Sequence, residues 1–347
     1  MKVLLPFKED LNPYLKEIIT YSECSFVYDH YKNYSSEYDI VNIHWPEALF
    51  DWWEPTEQQL LDLEKDIRFW KKNSVVVYTK HDDRRTKGST PLFTQLFELI
   101  EKYTDVFIHL GEYSKAKYEV IYPNARHEIV RHPLYQKSYE VFSKKVAREK
   151  LGIAPNSFII TVPGAIRNFK ERRLVLNTFK ALKVPHKVLI SSNMRTEIKR
   201  DFRGRIALKK FVDVKKYLVN RFKAKYKPPT YIFTYEKLGS EEFSLRISAA
   251  DVILVPRIDI LNSGNVFLAF TFRKVVCGPA TGNIKEALQK FKMPIFNPSS
   301  IKSVITALNQ AVILHENGFQ YPEEQLEEFK PQNIAKTMDE IFFILKK

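Results

Sequence analysis

Short apolar runs alternate with amphipathic stretches from one end of the chain to the other, and this alternation restricts the fold more than any other feature. Strand-length runs separated by helix-length periodic segments are the pattern of a parallel sheet covered by helices. In the first half, Val3–Pro6, Ile40–Ile43, Val75–Tyr78, Val106–His109 and Glu128–Arg131 read as strands. The segments Leu11–Tyr21, Glu57–Asn73, Pro91–Lys102 and Tyr113–Ile121 read as the helices between them. The charged stretch Tyr135–Asn156 reads as a connection, after which a second series begins. Its expected strands are Phe158–Pro163, Val188–Ser191, Thr230–Thr234, Asp251–Pro256, Val275–Cys277 and Pro294–Phe296. The expected architecture is α/β, with two Rossmann-like domains facing across a cleft. Residues 1–150 form the first, 151–325 the second, and 326–347 a final helix that crosses back to the first.

A chain of 347 residues, 44% hydrophobic and 28% charged, has the length and composition to bury two such cores. No run of eighteen apolar residues occurs, so no membrane-spanning helix is expected. The short apolar start before Lys8 reads as a first strand rather than a signal peptide. Cys24 and Cys277 stand far apart and suggest neither a disulfide framework nor a zinc site, so a cytoplasmic protein is expected. The net charge of +14 is uneven: residues 195–227 hold thirteen Lys or Arg against Glu197, Asp201 and Asp213. Such a segment suits a solvated helix face or peripheral contact with an anionic membrane at its inner face. Nucleic acid is not expected as a partner, because no recognised binding motif accompanies the charge.

Two motifs of the second half carry anion-binding chemistry. In the first, an apolar strand ends at Pro256 and Asn262-Ser263-Gly264 opens an apolar helix. A small polar residue there caps first-turn amides, Gly264 permits close approach to the backbone, and the helix start attracts negative charge. In the second, a strand runs into Gly164, with Arg167 and Lys170 leading into the next helix. Cations at a helix start oppose the helix dipole, which favours a functional reason for them. Arg presents a fork and Lys a point charge to a diphosphate.

In the first half, His44, Trp45 and Glu47 follow one strand, and His81, Asp82 and Asp83 follow the next. A histidine or carboxylate at such a position accepts a hydroxyl proton or orients a sugar by hydrogen bonds. Trp45, Phe50, Trp52 and Trp53 offer flat apolar faces for sugar rings or a lipid chain.

The order and spacing of these pieces resemble the GT-B glycosyltransferases, in particular the bacterial relatives of family 4. The matching elements are Gly164, Arg167 and Lys170, then Ala249–Pro256, Asn262–Gly264, Val275-Val276, Gly282 and Glu286. His44-Trp45-Pro46, Thr79-Lys80-His81 and His132-Pro133-Leu134-Tyr135 resemble recurrent pieces of the same enzymes. The resemblance implies transfer of a sugar from a nucleoside-diphosphate sugar to a saccharide or lipid-linked acceptor, in cell-surface polysaccharide or glycolipid synthesis, without metal or cofactor. It places the donor on Gly164, Arg167, Lys170, Asn262, Ser263, Gly264 and Glu286. The acceptor falls to His44, Trp45, Glu47, His81 and Asp82, and catalysis to His81, His44, Arg167 and Lys170. The sequence departs from family 4 where two glutamates usually stand eight positions apart; Ile260 and Leu268 occupy those places. A sugar-nucleotide epimerase of the same fold and a non-enzymatic basic binding protein are the alternatives.

Overall fold

The computed structural model describes residues 1–9, 12–85, 88–196 and 214–345. Its strands form two parallel sheets of six. The first contains β1 (Lys2–Leu5), β2 (Ser25–Tyr28), β3 (Ile40–Ile43), β4 (Val75–Lys80), β5 (Val106–His109) and β6 (Arg126–Ile129), in the order β2-β1-β3-β4-β5-β6. The second contains β7 (Phe158–Val162), β8 (Lys187–Ser191), β9 (Tyr231–Phe233), β10 (Val252–Leu254), β11 (Val275–Pro279) and β12 (Ile295–Phe296), in the order β12-β11-β10-β7-β8-β9. All six residues of β4 are buried between β3 and β5, as expected of an apolar run covered on both faces. The sequence reading missed β2, whose four residues lie at the sheet edge with none fully buried. An edge strand leaves a weaker apolar signature.

Helices fill the intervals. In the first half these are α1 (Pro13–Tyr21), α2 (Glu57–Trp70), α3 (Pro91–Tyr103) and α4 (Glu112–Ile121). Their starts obey local rules: Asn12 caps α1 ahead of Pro13, Thr56 and Gln59 form a reciprocal capping box on α2, and Thr90 caps α3 ahead of Pro91. The stretch read as a connection contains α5 (Lys144–Lys150), capped by Ser143. Arg148 of α5 reaches Asp251 at 2.7 Å, and Ala147 joins a cluster with Ile159 and Val188. This helix therefore packs on the second sheet, although the expected boundary at 150 assigned it to the first domain.

The second half continues with α6 (Phe169–Ala181), α7 (Val214–Lys225), α8 (Ser240–Ser248), α9 (Gly264–Thr271), α10 (Gly282–Lys290), α11 (Ile301–Glu316) and the short α12 (Glu323–Glu327). The last helix, α13 (Pro331–Ile344), packs beside α1. Its Ile334, Met338 and Phe342 share a core with Val3, Leu5 and Ile18, and Asp339 accepts from Glu23 N–H at 2.7 Å. Of the basic segment, residues 197–213 lie outside the described residues; its C-terminal part forms α7.

Strand order decides where a ligand can sit. In the second sheet, successive connections run outward in opposite directions from the β7/β10 pair. Such a switch point opens a crevice at the carboxyl ends of the two strands. Gly164–Arg167 follows β7 and the segment ending in Asn262-Ser263-Gly264 follows β10, so the two anion-binding motifs meet there.

Candidate active site

From the first sheet, the ends of β3 and β4 bring His44 and His81 together, with His44 Nδ1 2.9 Å from His81 Nε2. Trp45 stacks on His81 with ring centres 4.6 Å apart, and Tyr14 stands edge-on to the same ring at 4.8 Å. His132 follows β6; its Nδ1–H donates to Pro133 O at 2.8 Å, because a carbonyl can only accept. Its Nε2 therefore carries a lone pair and accepts the Tyr135 hydroxyl at 3.1 Å. Burial pulls His44 down to about 3 and His132 to about 4, and pulls His81 well below the ordinary histidine value. All three rings are consequently neutral near pH 7.

Neutrality leaves the His44–His81 bond two tautomers. His44 Nε2 is buried with no partner. A buried N–H without an acceptor is costlier than an unpaired lone pair, which favours donation by His44 Nδ1–H. His81 then presents an N–H at Nδ1, on a ring that lines the cleft. His44 itself stands behind His81, outside both cavities described below. The same holds for Glu47, whose carboxyl sits in the one-turn segment Pro46–Phe50 and is raised by burial, with the Asp82 charge adding to it.

On the second sheet's side, Glu171 organises the loop after β7. One of its oxygens accepts from Arg167 N–H at 2.7 Å and from the buried Arg257 guanidinium at 2.8 Å. Arg257 also donates to Ala165 O at 3.0 Å. Burial, followed by the like charge of Arg167, pulls the Arg257 guanidinium down to about 10. A Cβ on Gly164 would lie 2.4 Å from the Asn265 amide and 2.6 Å from the Arg257 guanidinium, so a side chain there would displace both groups. The residue expected to neutralise a diphosphate, Arg167, projects into the space between the sheets. No side chain caps the start of α9, and Val266 N–H bonds back to Ser263 O, which leaves the Gly264 and Asn265 amides for a ligand.

Two expected donor contacts have other partners, and a third residue is closely hemmed in. Asn262 Nδ2 donates to His81 O at 2.7 Å and Lys80 O at 3.2 Å, while its Oδ1 accepts from Asn283 at 2.8 Å. It braces the two domains. Glu286 accepts from Glu112 N–H at 3.1 Å at the start of α4 and lines neither cavity. The close neighbour of Gly264 is the Tyr135 hydroxyl, 2.3 Å from where a Cβ would stand. In each case the competing partner comes from a distant part of the chain, which local spacing cannot encode.

Two adjoining cavities result. The smaller, about 370 Å³, is walled by His81, His132, Gly164, Arg257 and the start of α9. The larger, about 910 Å³, is lined by Lys170, Arg195, Lys117 and Arg84 among others. Arg167 and Asp82 belong to both walls. The Asp82 carboxyl is raised by burial and opposed by the Arg167 charge. The structure therefore gathers Gly164, Arg167, Asn262, Ser263, Gly264, Trp45, His81 and Asp82 around one space and turns Lys170 into its neighbour. Arg257, Asn265, His132 and Tyr14 line the smaller cavity as well. Of these, Arg257 was not singled out from the sequence, although it stands as a cation directly after a strand ending in proline. Among the described residues no group of three or more His, Cys, Asp or Glu is placed to hold a metal ion, and no helix is long and apolar enough to cross a membrane.

No family model and no curated protein matches the sequence. Solved structures do match its fold. HepE of Anabaena, in a complex with UDP and glucose, aligns over 99% of this chain and 100% of its own, with 11% identity and a TM-score of 0.66. The sucrose-phosphate synthase of Thermosynechococcus elongatus aligns over 89% of this chain and 74% of its own, with 14% identity and a TM-score of 0.62. A trehalose-6-phosphate protein of E. coli bound with UDP-2-fluoro glucose aligns over 89% and 73%, with 15% identity and a TM-score of 0.56. With two parallel six-stranded sheets meeting at a shared cleft, the chain has the GT-B fold of these proteins.

Proposed function

We propose that this protein is a glycosyltransferase that moves a sugar from a nucleoside-diphosphate sugar to a saccharide or lipid-linked acceptor. One observation carries the reading: the uncapped start of α9 faces Arg167 and Gly164 at the switch point, with His81 of the other sheet in the same cavity. Amides, helix dipole and guanidinium converge where negative charge grows on a departing diphosphate, and stabilise it more in the transition state than in the ground state. Lys170, opening into the adjoining cavity, adds a longer-range positive charge. In its favoured tautomer His81 donates a hydrogen bond to a sugar oxygen. Asp82, in the wall common to both cavities, is the group placed to take the acceptor proton. The ligands named for HepE and the E. coli protein, UDP with glucose and UDP-2-fluoro glucose, belong to the donor class this reading requires.

In this reading residues 151–325 hold the donor and 1–150 the acceptor, no cofactor or metal takes part, and the pathway is cell-surface polysaccharide or glycolipid synthesis. The basic segment 195–227, which includes α7, brings the enzyme to an anionic membrane surface. The test is a thermal-shift panel of nucleoside diphosphates and their sugars, followed by turnover of Arg167→Ala and Lys170→Ala with the donor it identifies. Arg167→Ala is expected to lower turnover by roughly 10²–10³-fold, the effect of removing one transition-state donor, and Lys170→Ala by less. Unchanged rates in both folded variants would sink the diphosphate assignment.

A further inference from the structure

Asp51 and Trp52 are consecutive non-glycine residues at φ 51° and 68°. The left-handed region is unfavourable for a bulky side chain, and such strain persists only where surrounding bonds enforce it. Here they do. Asp51 N–H donates to Ala48 O at 3.2 Å, Trp52 N–H to Glu47 O at 2.9 Å, and Arg85 to Trp52 O at 3.2 Å. The Lys8 ammonium holds the Asp51 carboxylate at 2.8 Å. The product of this strain is exposure, since Trp52 is 49% and Trp53 78% accessible. Core packing therefore does not explain the turn.

The Trp52 ring stands 6.5 Å from Trp45, which stacks on His81 in the reaction cavity. Aromatic faces thus lead from that cavity to a surface recess of about 280 Å³, where Lys8, Glu9 and Asp51 surround Trp45 and Trp52. Indole faces ringed by an ammonium and carboxylates match the chemistry of a sugar. The apolar face of a pyranose lies on the ring while its hydroxyls reach the charged groups. An acyl chain in the same recess would strip water from the Lys8–Asp51 pair without replacing its hydrogen bonds.

We infer that this recess is a second acceptor subsite, taking the sugar unit next to the one being glycosylated, so that the acceptor is a glycan of at least two rings. The inference rests on the proposed glycosyl transfer and names its acceptor class. The test is a tryptophan-fluorescence titration of the full chain with glucose and with maltotetraose, cellotetraose, laminaritetraose and chitotetraose, repeated on Trp52→Gly and Trp53→Ala. Glycine suits the positive φ of position 52 and keeps the turn. At least one tetrasaccharide is expected to bind ten-fold or more tighter than glucose, and Trp52→Gly to remove most of that gain while a UDP-induced thermal shift persists. Equal affinity for tetrasaccharides and glucose, or a gain that survives Trp52→Gly, overturns the subsite. So does a blue shift with phosphatidylglycerol vesicles, absent for all the sugars and lost in Trp52→Gly, which makes the turn a membrane anchor. Tetrasaccharide binding without any nucleotide shift overturns the donor reading and leaves the subsite standing.

Discussion

Replacing Glu171 with glutamine removes one charge from the centre of the second domain and almost no volume. The carboxylate of Glu171 and the guanidinium of Arg257 are both nearly inaccessible, at 2.8 Å separation. At an effective dielectric of about 20 the attraction at that distance is roughly 6 kcal/mol. A glutamine oxygen still accepts from Arg167 N–H, so part of the geometry survives, but Arg257 keeps a buried charge beside Arg167 with its counter-ion gone. Breaking a buried pair from one side costs about 3–5 kcal/mol. At about 2–4 °C per kcal/mol for a domain of this size, the melting temperature is expected to fall by roughly 6–20 °C. Urea denaturation of wild type, Glu171→Gln, Arg257→Met and the double variant tests the origin of the effect. If the charge pair is responsible, the double variant is more stable than the sum of the singles by at least about 2 kcal/mol. A Glu171→Gln variant within about 1 kcal/mol of wild type, or strictly additive singles, would refute the reasoning.

A methyl group at position 264 would stand 2.3 Å from the Tyr135 hydroxyl and 3.4 Å from His132 Nε2. Gly264→Ala is expected to lower turnover ten-fold or more by shifting the start of α9, and Tyr135→Phe in the same chain to restore part of it. Unchanged turnover in Gly264→Ala means that α9 tolerates the shift, and a loss that Tyr135→Phe does not rescue means that the clash with the hydroxyl is not its cause. The buried histidines predict acid sensitivity. His44 and His109 are pulled to about 3, His132 to about 4 and His81 well below the ordinary histidine value, in each case first by burial, whereas an unfolded histidine titrates near about 6.5. Their neutral-state stability is therefore complete above about pH 6.5 and is lost as pH falls towards 4. The expected slope is about 1.4 kcal/mol per pH unit for each of them. Urea midpoints measured from pH 7 to 4 check this, and a flat profile counts against burial of the rings.

Local pattern carried most of the fold. The apolar runs located Ile40–Ile43 and Val106–His109 to the residue, because a parallel strand is covered on both faces and must be apolar along its length. The alternation with helices then required βα units and two sheets. Edge strand β2 and helix α5 escaped, since neither has a continuous buried face to mark it. The positions of Gly164, Arg167 and the Asn262–Gly264 start were legible for the same local reason: strand, turn and helix start follow one another in the chain.

Which of those side chains meets a ligand was settled elsewhere. Asn262 is satisfied by backbone oxygens of Lys80 and His81, some 180 residues away, Glu286 by Glu112, and Gly264 is hemmed in by Tyr135. Glu171, which nothing in the local sequence singles out, holds both Arg167 and Arg257. Secondary structure follows from neighbours in sequence, so the chain alone determined the two sheets and the strand-end loops. Hydrogen-bond satisfaction depends on neighbours in space. Only the docking of one sheet's loops on the other decided which polar groups are spent on holding the protein together and which, like Arg167 and the amides of α9, remain for a ligand.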